Sequence, residues 1–246
     1  MHQVLRPFLL RRIKSEVEKE LPPKSEQVIK VELSDWQKIV YNGILKGRLA
    51  RDPATGRVGN QSLRNAMMQL RKISNHPYQF LECYPIEHPE WIYMSSGKFE
   101  LLDRMIPKIL RMGHKVLIFS QFVQLISIMC AFFDYRGIAH LKLDGAMNLE
   151  QRNENLRKFQ EDDSEFRVFI LSTRAGGQGL NLQEANTVII FDSDWNPQMD
   201  RQAEDRAHRI GQKAEVRVYR FITISKVEES ILSKAEEKKD LDELII

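Results

Sequence analysis

The segment Phe166–Arg–Val–Phe–Ile–Leu–Ser–Thr–Arg–Ala–Gly–Gly–Gln–Gly–Leu–Asn–Leu182 passes from a short apolar run to three closely spaced glycines, Gly176, Gly177 and Gly179. A run of this kind reads as a buried strand. Glycines directly after a strand let the backbone approach a phosphate, a sugar or a partner chain that a side chain would hold away. Ser172 and Thr173, at the turn itself, carry hydroxyls suited to gripping a nucleic-acid backbone. A simple tight loop explains the same residues, so this segment alone leaves both readings open.

Working outward, the same rhythm repeats. Lys115–Ser120, His140–Asp144, Phe166–Ser172, Thr187–Asp192 and Val216–Thr223 read as strands. Between them, Val123–Tyr135 repeats apolar residues at helical spacing (Leu125, Ile126, Ile128, Met129, Phe132, Phe133), and Leu149–Gln160 and Met199–Ile210 are further helical patterns. Strand–helix alternation of this kind predicts an α/β fold, a buried parallel sheet flanked by helices. Ligands are then expected at the loops beyond the carboxyl ends of the strands. Upstream, Val28–Leu33 alternates like a short strand. Ser34 caps a helix running through Trp36, Ile39, Val40 and Ile44, with Gln37 completing a capping box. Arg6–Lys19 is basic and amphipathic, Asp52–Asn60 is a loop, and Ser62 to about Ser74 is a helix. Residues 225–246 form a charged helix carrying Val227, Ile231 and Leu232.

Composition narrows the class. Of 246 residues, 42% are hydrophobic and 29% charged, a soluble globular balance. The longest apolar runs, such as Val188–Phe191, are too short to cross a bilayer, and Met1–Arg12 lacks a secretory cleavage pattern. Cys83 and Cys130 have no metal-ligand spacing, so no metal site is expected and a reducing compartment fits. Residues 1–94 hold 15 basic against 10 acidic residues and residues 95–246 hold 22 against 24. Bulk charge therefore makes no case for nucleic acid; local motifs must.

Two such motifs follow the fourth strand of this unit. In Asp192–Ser–Asp–Trp–Asn–Pro197, Trp195 is either a lid on the core or an aromatic that stacks or wedges against nucleic acid. In Gln202–Ala–Glu–Asp–Arg–Ala–His–Arg–Ile–Gly–Gln212, a helix would place Arg206 and Arg209 on one face, where two guanidiniums suit a phosphate gaining charge in a transition state. Pairing with Glu204 and Asp205 on a solvated face is the plainer explanation for an isolated pair of arginines. Gly211 reads as the helix C-cap. No GxxxxGK[ST] occurs: Ser96–Gly97–Lys98 lacks both the upstream glycine and a following hydroxyl residue, and no DExH-type run follows an apolar strand.

Taken together and in order, Lys115–Val–Leu–Ile–Phe–Ser–Gln–Phe122, Leu143–Asp–Gly145, Ser172–Leu182 and Asp205–Gln212 resemble motifs IV to VI of Swi/Snf-family chromatin-remodelling ATPases. Arg6–Arg12, Gln69–Pro77, Ser96–Lys98 and Asp192–Pro197 are similar to that family as well. The resemblance implies a C-terminal RecA-like lobe spanning 95–224, preceded by the tail of a first lobe (1–20) and by a linker and helical protrusion (21–94), with a brace helix at 225–246. It assigns Arg206 and Arg209 as arginine fingers acting on the γ-phosphate. Gly177, Gly179 and Gln202 then line the nucleotide cleft. Ser120, Gln121, Ser172, Thr173, Arg174 and Trp195 face DNA, and Asp144, Gly145 and Arg152 belong to a further motif, with the capping of a turn as the plainer explanation for Asp144. Gln178, Ser74 and Arg201 depart from common family residues. ATP and Mg2+ are the implied cofactors, held mainly by a first lobe. The implied partners are double-stranded DNA, nucleosomes and subunits of a multiprotein complex in the nucleus. Without a phosphate loop and DExH motif, this chain alone is expected not to hydrolyse ATP. A repair translocase of the same superfamily, and a non-catalytic module that binds DNA or partners, are the competing readings.

Overall fold

The computed structural model describes residues 21–46, 60–80, 88–176 and 180–245. The basic stretch Arg6–Lys19, Cys83 and most of the Asp52–Asn60 loop lie outside them.

Six strands form one sheet in the order β1-β6-β5-β2-β4-β3, and every pairing is parallel. They are β1 (Lys24–Val31), β2 (Val116–Ser120), β3 (His140–Leu143), β4 (Val168–Ser172), β5 (Thr187–Ile190) and β6 (Val216–Thr223). The central strands β2, β4 and β5 are buried along their whole length, which is why they read as unbroken apolar runs rather than alternating ones. Alternate residues nevertheless serve two separate cores. Val116, Ile118, Val168, Ile170 and Ile189 face one layer, packing with Phe99, Phe132 and Phe191. Leu117, Phe119, Phe169, Leu171, Val188 and Ile190 face the other, with Phe159, Leu182 and Ala207.

The helices are α1 (Asp35–Leu45), α2 (Asn60–Asn75), a single turn α3 (Trp91–Met94), α4 (Gly97–Arg111), α5 (Val123–Tyr135), α6 (Leu149–Gln160), a single turn α7 (Thr173–Gly176), α8 (Pro197–Glu204) and α9 (Lys226–Ile245). The Ser34–Gln37 capping box is present at α1. The same Gln37 is buried and fully engaged. Its Oε1 accepts from the Ser34 and Gly97 amides, and its Nε2 donates to the Ile73 and Ser74 carbonyls at 2.6 and 3.0 Å. One amide thus joins α1, α2 and the start of α4.

Apart from shifts of one or two residues at element ends and the single turns α3 and α7, three elements differ from their sequence-based expectation. The strand placed at Val28–Leu33 is Lys24–Val31, because its register is set by eight pairings with β6 and not by its own polar, exposed pattern. It lies in the segment assigned to linker and protrusion, so that segment supplies an edge strand of the sheet. Helix α4 was not expected at all. Its first residue, Gly97, is required there: an added Cβ would sit 1.9 Å from the Glu32 carbonyl oxygen. The helix expected over Met199–Ile210 stops at Glu204, for reasons given below.

Candidate functional site

Because the sheet is wholly parallel, all strands end along one edge. Ser120 and Ser172 are register partners at the ends of β2 and β4, and Asp192 follows the end of β5. Asp192 organises this edge. Its carboxylate accepts the Gln121 backbone N–H at 3.1 and 3.2 Å, and the Gln121 side-chain amide donates to its carbonyl at 3.4 Å. Burial pushes the Asp192 carboxyl up to about 7, against the opposing pull of Lys98, the Ser120 hydroxyl, Arg71 and the Gln121 amide.

The six residues expected to face DNA therefore do not present themselves alike. Ser120 is buried, and its hydroxyl accepts from the Phe122 amide at 3.2 Å. Ser172 and Thr173 are buried as well. Gln121 and Trp195 are half-buried and Arg174 is exposed, so these three offer side-chain surface. Behind the edge, the Arg71 guanidinium donates to the Ser193 carbonyl at 3.0 Å and lies 5.4 Å from the Phe122 ring centre.

A buried lysine backs the same edge. The Lys98 ammonium donates to Asn75 Oδ1 (3.0 Å), the Phe191 carbonyl (2.8 Å) and Glu228 Oε1 (2.7 Å). Glu228 Oε2 in turn accepts from the Thr223 amide and hydroxyl at 2.6 and 2.9 Å. All three lysine donors are spent, so the charge is desolvated but fully satisfied. This one side chain ties α2, β5 and α9 together. Leu33, Tyr41, Ile44, Leu70, Ile73 and Val227 complete the seam between α1, α2 and α9.

The arginine pair sits elsewhere. Past Glu204 the chain leaves helical geometry, with Asp205 as the C-cap and Arg206 to Arg209 in a tight turn. Tertiary contacts claim the carbonyls that a longer helix would need. The Arg206 carbonyl accepts from the Leu182 amide at 3.2 Å, and the Ala207 carbonyl accepts from Gln212 Nε2 at 3.1 Å. Gln212 Nε2 also donates to the Gln183 and Ala185 carbonyls, both at 2.9 Å, while its Oε1 accepts the Lys213 and Ala214 amides. Gly211, with φ of +98°, closes this turn and not the helix. The His208 ring meets the Pro22 carbonyl at 2.9 Å, which anchors the turn where β1, β5 and β6 begin.

Arg206 and Arg209 are thus brought together by a pinned turn and not by a helical face. Burial and the neighbouring Arg209 charge press the Arg206 pKa below its ordinary value, with Asp205 opposing. Arg206 is half-buried and Arg209 exposed. Gln202 lies on α8 and is exposed, while Gly177 and Gly179 fall outside the described residues. Asp144 accepts the Ala146 amide at 3.0 Å and caps its turn as expected.

Sequence reasoning missed the second ion-pair cluster. Arg220, in β6, reaches Glu26 (3.0 Å), Glu204 (3.0 Å) and Asp200, and Lys24 reaches Glu204 at 2.8 Å. It fastens α8, which carries Gln202 and leads into the arginine turn, onto β1 and β6. Its members lie up to 194 positions apart, a separation at which no local pattern signals a pairing. Cys130 is half-buried, and burial pushes its thiol up to about 11, so it holds its proton at neutral pH. Among the described residues no cluster suits a metal ion and no helix is long and apolar enough to cross a membrane.

Comparison with known proteins agrees with this architecture. The helicase conserved C-terminal domain family matches residues 97–211, and the SNF2-related domain family matches residues 1–79. Over its whole length the chain is similar to the transcription regulatory protein SNF2 of Saccharomyces cerevisiae (52% identity) and to the probable ATP-dependent DNA helicase CHR23 of Arabidopsis thaliana (50%). It spans only 15% and 23%, respectively, of those proteins. The crystal structure of the C-terminal part of the Fun30 ATPase domain superposes with a TM-score of 0.74 at 31% identity, covering 88% of this chain and 90% of that one. A parallel sheet of this order, the ordered motifs along its edge and these similarities lead to one assignment: the chain belongs to the SNF2 family of chromatin-remodelling ATPases and comprises its C-terminal, RecA-like lobe.

Proposed function

We propose that this chain is the second motor lobe of an ATP-dependent double-stranded DNA translocase that remodels nucleosomes in the nucleus. The observation that carries the reading is the arginine turn. Gln212 and the Leu182 amide pin the turn that carries Arg206 and Arg209, near enough for the Arg209 charge to press the Arg206 pKa down, and two guanidiniums held close together suit an anion that gains charge during reaction. That anion is the γ-phosphate of ATP, presented with Mg2+ by a first lobe across a cleft. Gln202, exposed on α8, lines this lobe's wall of the cleft, a role that the family resemblance alone extends to Gly177 and Gly179.

The strand-end edge is the DNA face. Gln121, Arg174 and Trp195 supply backbone contacts, while Ser120, Ser172 and Thr173 shape the edge behind them. Contacts to backbone alone suit a motor that steps without reading sequence. The names of the relatives favour remodelling within a multiprotein complex over DNA repair.

The test is steady-state ATP hydrolysis by the full-length protein with saturating DNA. Arg206→Ala and Arg209→Ala are each expected to lower kcat by about a thousandfold or more while leaving ATP affinity largely intact. Unchanged turnover in both variants overturns the finger assignment. The 246-residue chain alone is expected to show no turnover above background.

A further inference from the structure

The final helix changes character along one face. Val227 and Ile231 are buried against the body of the lobe. Two turns further on, Lys234 and Lys238 occupy the same stripe; at 3.6 residues per turn the four positions fall within roughly 60° of arc. An apolar pair there would have extended the core. Instead both lysines lie on Trp195: the Lys234 ammonium is 5.3 Å from the ring centre, and Lys238 donates to the Trp195 carbonyl at 3.3 Å. Both are exposed, and among the described residues neither is paired with a carboxylate. The acidic residues of this turn are directed elsewhere. Glu236 faces the groove beside Arg220, and Glu237 accepts from the Ser233 hydroxyl.

The loop beneath them is firmly held. Arg71 holds the Ser193 carbonyl, Asp200 accepts the Asp194 amide, and Asp194 accepts the Asn196 amide at 2.8 Å. Trp195 therefore needs no lysine to fix its backbone. An exposed ammonium over a ring stabilises only weakly, so stability gives little reason for two cations at this spot. A polyanion passing over the indole would meet both.

We infer that Lys234 and Lys238 are phosphate-binding residues which carry the DNA face from the strand ends onto the final helix, flanking Trp195 with two positive charges. This rests on the reading of the strand-end edge as the DNA face. Lys238 spends one of its three donors on the Trp195 carbonyl and keeps the others for a phosphate oxygen. The final helix is then a part of the binding surface as well as a brace.

The experiment is binding of a fluorescein-labelled duplex to the full-length protein, followed by anisotropy between about 50 and 200 mM salt. Each phosphate contact contributes about 0.9 to the slope of log affinity against log salt. Lys234→Ala/Lys238→Ala is expected to weaken binding and to lower that slope by between about 1 and 2. Lys234→Arg/Lys238→Arg is expected to keep both the affinity and the slope. Trp195→Ala is expected to weaken binding at every salt concentration with its slope unchanged. If the double alanine variant keeps the parental slope while Trp195→Ala weakens binding, the lysines act only on the ring and this inference falls alone. If Trp195→Ala, Arg174→Ala and the double alanine variant all bind as the parent does, the DNA face itself is misplaced and both readings fall.

Discussion

The Lys98 ammonium lies 2.7 Å from the Glu228 carboxylate, and both side chains are buried. The pair joins the first turn of α4 to the first turn of α9, 130 positions along the chain. Removing one partner strands the other charge in a dry site, which costs about 3–5 kcal/mol. Lys98→Met is therefore expected to lower the urea midpoint sharply. Lys98→Met/Glu228→Leu should recover a large part of the loss, because the desolvated charges leave together. A double variant no more stable than the single one would show that the groups left unpaired, the Asn75 and Phe191 oxygens and the Thr223 amide and hydroxyl, carry the effect.

Asp192 gives the lobe an unusual pH dependence. Its carboxyl is pushed from 3.8 to about 7 by burial. Folded, it holds its proton more tightly than the unfolded chain does. Its contribution is complete below pH 3.8 and is lost as pH rises through 7. The full shift corresponds to an upper bound of about 4 kcal/mol. Asp192→Asn keeps an oxygen for the Gln121 amide and has nothing to titrate. Between pH 5 and 8 the variant is expected to gain stability relative to the parent, read from urea midpoints at each pH. Parallel profiles for the two proteins would contradict the assignment.

Gly97→Ala tests how closely the end of β1 approaches α4. The Cβ would stand 1.9 Å from the backbone oxygen of Glu32, which has no flexible end to swing away. A loss of about 1–3 kcal/mol is expected in chemical denaturation, with the gain in helix propensity far too small to offset it. A neutral outcome would mean that β1 shifts freely along this edge.

Sequence periodicity was sufficient where burial follows a repeat. Val123–Tyr135 is a helix and Val216–Thr223 a strand over the expected residues, and Leu149–Gln160 is a helix as expected although Asn148 caps it and Phe159 is its one buried side chain. It was insufficient where tertiary contacts decide. Gly97–Arg111 begins with glycine and contains Pro107, two residues that ordinarily break helices, yet Ser96 caps it and its apolar face packs under the sheet. The spacing of the arginines put them on one face of a helix, but the helix ends before them and a turn carries both. A helix that ends early depends on Leu182 and Gln212 reaching its carbonyls across the fold. Likewise, Ser120 reads as a polar residue at a strand end, and only its full burial shows that it turns inward. The lysines over Trp195 carried no signal, since a charged residue near the end of a charged helix looks like any solvated position.

Strands β1 and β6 run side by side in the same direction through eight register pairs, from Lys24 opposite Val216 to Val31 opposite Thr223. Tension applied at Pro23 and drawn off beyond Thr223 pulls these strands lengthwise past one another. The ladder is then loaded in shear, all of its bonds sharing the strain at once instead of parting one after another. Whatever pulls on the lobe through these two points loads that ladder lengthwise, and a strand that contributes little to the core becomes the girder along which force is carried.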